Sequence, residues 1–131
     1  IVCKAGVYPY NYITQQQASS LCQNMYSSNN FTSDLINSFA WDTAIVFIQK
    51  CSGDEDYSRQ IKLQSMLAKC GEATNGINKD VKCNIYDLAG NTHEWSTESN
   101  TNVYNPYTYR GGYYGSGSYY VSGRYGNLNT R

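Results

Sequence analysis

Asn84-Ile-Tyr-Asp-Leu-Ala-Gly-Asn-Thr-His-Glu-Trp-Ser96 is the stretch whose reading decides the fold. Gly90-Asn91 is a tight-turn dipeptide between short apolar runs, and such a pair reverses the chain where φ is positive. Tyr86 and Trp95 flank the turn and are expected in the core. Downstream, from Ser99 to Arg131, the chain is written almost wholly in Tyr, Gly, Ser, Asn and Arg. Eight of the fourteen tyrosines lie there, with no Lys and no acidic residue after Glu98. Tyr gives a large, stiff, amphipathic contact at little rotamer cost, while Gly, Ser and Asn give turns and adaptable hydrogen bonds. That is the alphabet of a binding surface built on short strands and loops.

Upstream, the pattern becomes helical. Thr14 with Gln17 forms a capping box, which predicts a helix over Gln15–Tyr26 with Ala18, Leu21, Cys22 and Met25 on one stripe. A second helix is expected over Asp34–Lys50, its apolar face carrying Leu35, Phe39, Ala40 and Ile45–Ile48, with Phe39 and Trp41 as core anchors. Before them, Ile1–Val7 reads as a strand leading into the aromatic turn Tyr8-Pro9-Tyr10. Between Cys51 and Asp80 the chain is polar. Asp54, Glu55 and Asp56 read as a solvated turn rather than a metal site, Arg59–Cys70 as a short helix, and Gly71–Asp80 as loop.

The bulk numbers bound the answer. A chain of 131 residues is one domain, able to bury roughly two-thirds of its unfolded surface. It begins with Ile and shows no leader-like segment, so it reads as a piece of a longer polypeptide. Ten basic and ten acidic residues cancel, which gives no global field for nucleic acid or anionic lipid. No run reaches the roughly 18 apolar residues of a membrane helix, so no insertion is expected. The five cysteines, Cys3, Cys22, Cys51, Cys70 and Cys83, match no zinc spacing. They are either thiols in a reducing setting or up to two disulfides with one thiol left over.

The run Asn84–Ser96 resembles the N-h-Y-D-h-x-G-N-V-W-E-W-T signature of the formylglycine-generating-enzyme (sulfatase-modifying factor) family. Tyr109-Arg-Gly-Gly-Tyr113 is similar to that family's h-R-G-G-S strand, and Leu35-Ile-Asn-Ser-Phe-Ala-Trp-Asp42 to its L-I-x-G-x-x-W-D helix. The three motifs stand in family order over Asp34–Arg124. The resemblance implies an α+β, C-type-lectin-like fold, with two helices packed on small irregular antiparallel sheets and long loops. It also implies where chemistry should be absent. The copper-holding members look to a cysteine pair near the C-terminus, whereas no cysteine follows Cys83. The iron-holding relatives use several histidines, whereas His93 is the only one and replaces the first Trp of the W-E-W element. No redox cofactor and no enzyme activity are therefore expected.

The C-terminal region resembles instead the variable region of diversity-generating retroelement proteins, which use this fold as a tolerant display scaffold. Carried over, Arg110, Gly111 and Gly112 are framework. Tyr113, Tyr114, Ser116, Ser118, Tyr119, Tyr120, Arg124, Tyr125, Asn127 and Asn129 form the ligand-binding set within 99–131. The family's structural calcium, carried over in the same way, falls on Asp87, Gly90, Thr92 and Glu94; alternatively Asp87 and Glu94 only accept backbone N–H groups. The expectation is a receptor- or ligand-binding module on a phage tail or bacterial surface, attached to a larger assembly and contacting a protein or glycan. A decoration subunit of a virion or filament is the alternative, and a formylglycine-type oxidase the third.

Overall fold

A computed structural model describes residues 4–61, 66–73, 79–115 and 119–127. Among them the chain is α+β. Helix α1 spans Gln15–Gln23 and α2 spans Ser38–Ser52, and the strands pair antiparallel in small sheets. Hairpin β1–β2 (Ser27–Ser28, Phe31–Thr32) follows α1, and hairpin β3–β4 (Val81–Lys82, Ile85–Tyr86) precedes the Gly90-Asn91 turn. The largest sheet runs β5 (Glu94–Ser99), β6 (Tyr107–Arg110), β7 (Arg124–Asn127), in that order. No helix among the described residues is long and apolar enough to cross a membrane.

The helix starts follow local chemistry. Thr14 Oγ1 accepts from Gln17 N–H and Gln17 Oε1 accepts from Thr14 N–H, so the expected capping box forms. This helix stops at Gln23, short of the expected Tyr26, because Asn24 caps it. Helix α2 begins four residues later than the expected Asp34, with Asn37 as N-cap, its side chain accepting from Ala40 N–H. It ends on Gly53 at φ 71°, the left-handed stop that glycine adopts without cost. Helical spacing puts residues two apart on opposite faces. Trp41, Ile45 and Ile48 at i, i+4, i+7 face inward, and Phe39 is left 85% exposed. The expectation that Phe39 anchors the core is thus corrected.

The core joins those three α2 residues to Tyr57, Leu88, Ala89 and Val121. Tyr57 comes from a 3-10 turn at Tyr57–Arg59; of the short helix expected over Arg59–Cys70, residues 62–65 lie outside the described residues, and residues 60–61 and 66–70 are not helical. Trp41 Nε1 donates to the Val121 carbonyl at 2.9 Å, tying α2 to the returning C-terminal loop. Val121 N–H and Ser122 N–H donate in turn to the carbonyls of Gln60 and Ser58. Tyr86 is 55% exposed and Trp95 half-buried, so neither is the core residue expected. At the N-terminus, residues 4–7 form no strand; Gly6 N–H donates to the Cys70 carbonyl and Cys70 N–H to that of Val7. Residues 1–3 of the expected strand lie outside the described residues.

Cys51 at the end of α2 is bonded to Cys83 in the β3–β4 turn, with Cα atoms 6.3 Å apart. That decides between the two cysteine readings in favour of disulfide chemistry at this pair. Cys83 and Asn84 both have positive φ, 51° and 63°, as a two-residue type I′ hairpin loop requires. Asp54, in the expected solvated turn, is half-buried and pairs with Lys82 Nζ at 3.3 Å.

Candidate functional site: a tyrosine-walled cleft

Strand register divides the main sheet into two chemically distinct faces, because side chains alternate along each strand. Trp95 pairs with Tyr109, Tyr109 with Tyr125, and Tyr107 with Asn127. These residues share the outer face. Glu94 pairs with Arg110 and Arg110 with Arg124, and these share the face toward α2. The R-G-G motif therefore sends Tyr109 outward and Arg110 inward.

The inward face is ionic. Arg110 is fully buried, with Nη1 donating to both Glu98 oxygens (3.0 and 3.2 Å) and Nη2 donating to Asp42. Arg124 bridges the same two acids through Nε to Glu98 at 2.8 Å and Nη2 to Asp42. The Arg110 guanidinium carbon also lies 5.5 Å from the Trp41 ring centroid, within cation–π range. Arg124, assigned to ligand binding from sequence, is thus half committed to holding this ladder. Its guanidinium is held still more basic by the hydrogen bonds it donates to Glu98 and Asp42.

Beyond Arg110, Gly111 has φ 76° and Gly112 passes flat against the 88–89 turn. A Cβ on Gly111 would meet Glu94 Oε2 at 2.7 Å and the Leu88 carbonyl at 3.0 Å; one on Gly112 would meet the Ala89 carbonyl at 2.5 Å. Only glycine permits this close approach.

The outer face is aromatic. The His93 ring sits among tyrosines, its centroid 4.3 Å from Tyr109, 4.7 Å from Tyr119 and 4.8 Å from Tyr113. Tyr119 and Tyr125 meet edge to face at 4.7 Å, and the Tyr125 hydroxyl accepts from Tyr120 N–H. His93 Nδ1 is 3.0 Å from the Gly111 carbonyl, so that nitrogen carries the proton and donates. Tyr113, Tyr114, Tyr119 and Tyr125 are half-buried rather than freely displayed, and Tyr120 is 48% exposed. The expected open array is in fact an interlocked raft, because rings this dense satisfy each other edge to face. Ser116, Ser118 and Asn129 lie outside the described residues.

Beside the raft runs a cleft of about 660 Å³, within the range of small-molecule sites. One wall is Trp95, Tyr109, Tyr113, Tyr114 and Asn127; the other is Tyr10, Asn11 and Tyr12, with Ala18 and Cys22 of α1 and Asp34–Ile36 as floor and rim. Tyr10 and Tyr12 are 69% and 83% exposed. The walls touch where the Tyr114 hydroxyl is hydrogen-bonded to Tyr12, which holds its proton more tightly. Sequence reading missed the Tyr10–Tyr12 wall. Its signal was present, since Tyr8–Tyr12 is written in the same alphabet as the C-terminal third. Trp95 Nε1 donates to the Ile13 carbonyl at 2.9 Å, fixing that wall to the sheet. The Cys22 thiol is pushed up by burial and by Asp34, which suppresses thiolate chemistry.

Behind the cleft, the Asn84–Ser96 motif is a hub of polar pins. Asp87 and Asn91 take positive φ, 58° and 70°, which Asp and Asn tolerate best. Asp87 Oδ2 accepts from Gly71 N–H at 2.7 Å, and the Asn91 amide exchanges bonds with Ala68 at 2.9 and 3.1 Å. The Asn91 carbonyl accepts from Tyr114 N–H, so the hub also positions the wall. Asp80 accepts from Tyr57 OH and Ala89 N–H.

Two oxygens of the hub stand out: Asp87 Oδ1 and Glu94 Oε2 are sealed from solvent with no protein partner among the described residues. Both carboxyls are pushed up, first by burial and then by neighbouring acids: Asp80 acts on both, and Asp87 on Glu94. Part of Glu94 meets the cleft, but the burial of its carboxylate governs its chemistry. Buried like charges with orphaned hard oxygens fit a divalent cation of the calcium type. The Gly111 position keeps that space open, since a Cβ there would fill it. No three His, Cys, Asp or Glu side chains converge as a ligand group among the described residues. A cation would thus rest on Asp87, Glu94 and main-chain oxygens, and the Gly90 carbonyl already accepts from Thr92 N–H at 3.0 Å. Compared with family models, curated proteins and solved structures, the chain matches none of them.

Proposed function

We propose that the chain is a non-catalytic ligand-binding module of the formylglycine-generating-enzyme family's C-type-lectin-like fold, related to the variable proteins of diversity-generating retroelements. It would act in adhesion, on a phage tail or bacterial surface, as part of a larger assembly. The observation that carries this reading is a pair of tyrosine walls facing each other across one cleft. Rigid aromatic anchors in a concave site concentrate binding energy. The Cys51–Cys83 disulfide agrees with an oxidising, extracellular setting. A protein loop or a glycan would enter the cleft, with Asn11 and Asn127 hydrogen-bonding around the rings.

The test is capture on glycan and peptide arrays. A Tyr10→Ser/Tyr12→Ser/Tyr114→Ser variant should lose at least about 30-fold in affinity, the scale of a hot-spot cluster, with its melting temperature little changed. Tyr104→Ser, 78% exposed and away from the cleft, should bind as the parent does. Equal capture by the triple variant would remove the cleft from the binding face. The decoration-subunit reading draws on the exposed Phe39, Val46 and Phe47 of α2; under it, Phe39→Ser/Phe47→Ser would lose assembly and the triple variant would keep it.

Calcium is proposed at Asp87 and Glu94 with the adjoining main-chain oxygens of Gly90 and Thr92. Its chemistry would be structural: charge compensation that pins the turn beneath the cleft. The sign with pH follows from the raised carboxyls. A group whose folded pKa is raised stabilises fully below its unfolded pKa and loses that contribution as pH rises through the folded value. Metal-free protein should therefore weaken as pH climbs from about 4 toward neutrality, and calcium should restore the loss. At 100-fold excess over its dissociation constant it should add about 2.7 kcal/mol, or about 10 °C in Tm, at pH 7.5. The gain should be much smaller at pH 5. Thermal scans with calcium or EDTA check this, and identical curves would eliminate the site.

A further inference from the structure

The charge lining the cleft has one sign. Its solvent-facing charge is an acid, Asp34 at the rim; the Glu94 carboxyl is buried behind the wall, the His93 imidazole lines the inner end, and no Lys or Arg lines it among the described residues. Five phenol rings and one indole line the same space, Tyr10, Tyr12, Trp95, Tyr109, Tyr113 and Tyr114, with the His93 ring beside them. An aromatic ring carries negative charge on its face, and a cleft of such faces attracts a cation whose hydration is weak enough to shed. Neutral or anionic ligands gain nothing from that field.

We infer that the cleft selects an N-alkylated ammonium group, caged by Tyr10, Tyr12, Trp95, Tyr113 and Tyr114 and paired with the Asp34 carboxylate. The inference rests on the binding-module reading and names the chemistry of its ligand. Asp34 is exposed, and it is held ionised by hydrogen bonds from Leu35 N–H, the Gln23 amide and the Ser19 hydroxyl. Those donors also fix its direction at the rim, so the carboxylate needs no rearrangement to meet a cation. Glu94 is not required, since calcium at the hub would neutralise it.

A paired titration tests the point. Choline and its uncharged carbon isostere 3,3-dimethylbutan-1-ol have the same shape and nearly the same volume. Binding is read from ring-current shifts of the methyl protons and of the Tyr and Trp95 ring signals. Choline should bind at least about 10-fold tighter than the alcohol. Asp34→Asn should weaken choline at least about threefold and leave the alcohol unchanged, which a merely structural role for Asp34 would not do. The alcohol binding as tightly as choline would overturn the inference and leave the cleft a plain hydrophobic binding site. Neither compound shifting the ring signals would also overturn it, and the array capture by the Tyr10/Tyr12/Tyr114 variant would then judge the wider reading separately.

Discussion

Arg110→Met should cost about 3 kcal/mol or more of folding stability, the range for removing one partner of a buried ion pair. Arg110 is fully buried and serves three neighbours at once, the carboxylates of Glu98 and Asp42 and the face of Trp41. Methionine keeps the stem and some ring contact but strands the acids with only Arg124 to answer them. The loss should sit at the lower end of the range, because the Asp42 side chain is 46% exposed and water can solvate it. Urea unfolding followed by circular dichroism measures it. Adding Glu98→Gln should return part of the loss, since it removes the less exposed of the stranded charges. A single-variant loss below about 1 kcal/mol would show that the ladder behaves as a surface ion pair.

Trp41→Ala should unfold the domain or cost about 3–5 kcal/mol, the penalty for emptying a buried aromatic site. Trp41 is 1% exposed, and its indole also satisfies the Val121 carbonyl. Its removal leaves a cavity and an unsatisfied acceptor on the loop that leads into β7. Phe39→Ala, two residues earlier on the same helix but 85% exposed, should change stability by less than about 0.5 kcal/mol. Thermal melts of the two variants separate the inward from the outward stripe of α2; similar melts would place the helix in a different rotation.

That contrast also shows what the sequence could and could not reveal. The α2 segment and the Trp41 anchor were legible because apolar residues recur there at helical spacing. Which stripe packs inward was not, because apolar residues stand on both sides of α2 (Trp41, Ile45 and Ile48 against Phe39, Val46 and Phe47), and only tertiary contacts choose between them. Thr14 and Gln17 were legible because a capping box is a contact within four residues. The tyrosine cluster was legible as binding chemistry but not as an interlocked raft, since ring-on-ring packing depends on strand register. Arg110 was readable as framework from its motif, while its partners Asp42 and Glu98 are 68 and 12 residues away. The Tyr10–Tyr12 wall was overlooked for the same reason: it faces the C-terminal third across nearly the whole chain length.

Register in the β5–β6–β7 sheet also sets how this protein can change over generations. Ring residues and ladder residues interleave one by one along β6 and β7, as Tyr109–Arg110 and Arg124–Tyr125 do. Swapping a tyrosine for another residue alters the aromatic side, by packing at the buried Tyr109 and by contact at the half-buried Tyr125, while the ionic side keeps its partners. Deleting or inserting one residue in either strand would instead turn the guanidinium groups toward solvent and the phenols toward the helix. Such a scaffold meets a substitution ring by ring, most easily where a ring is least buried, but a length change overturns both faces at once.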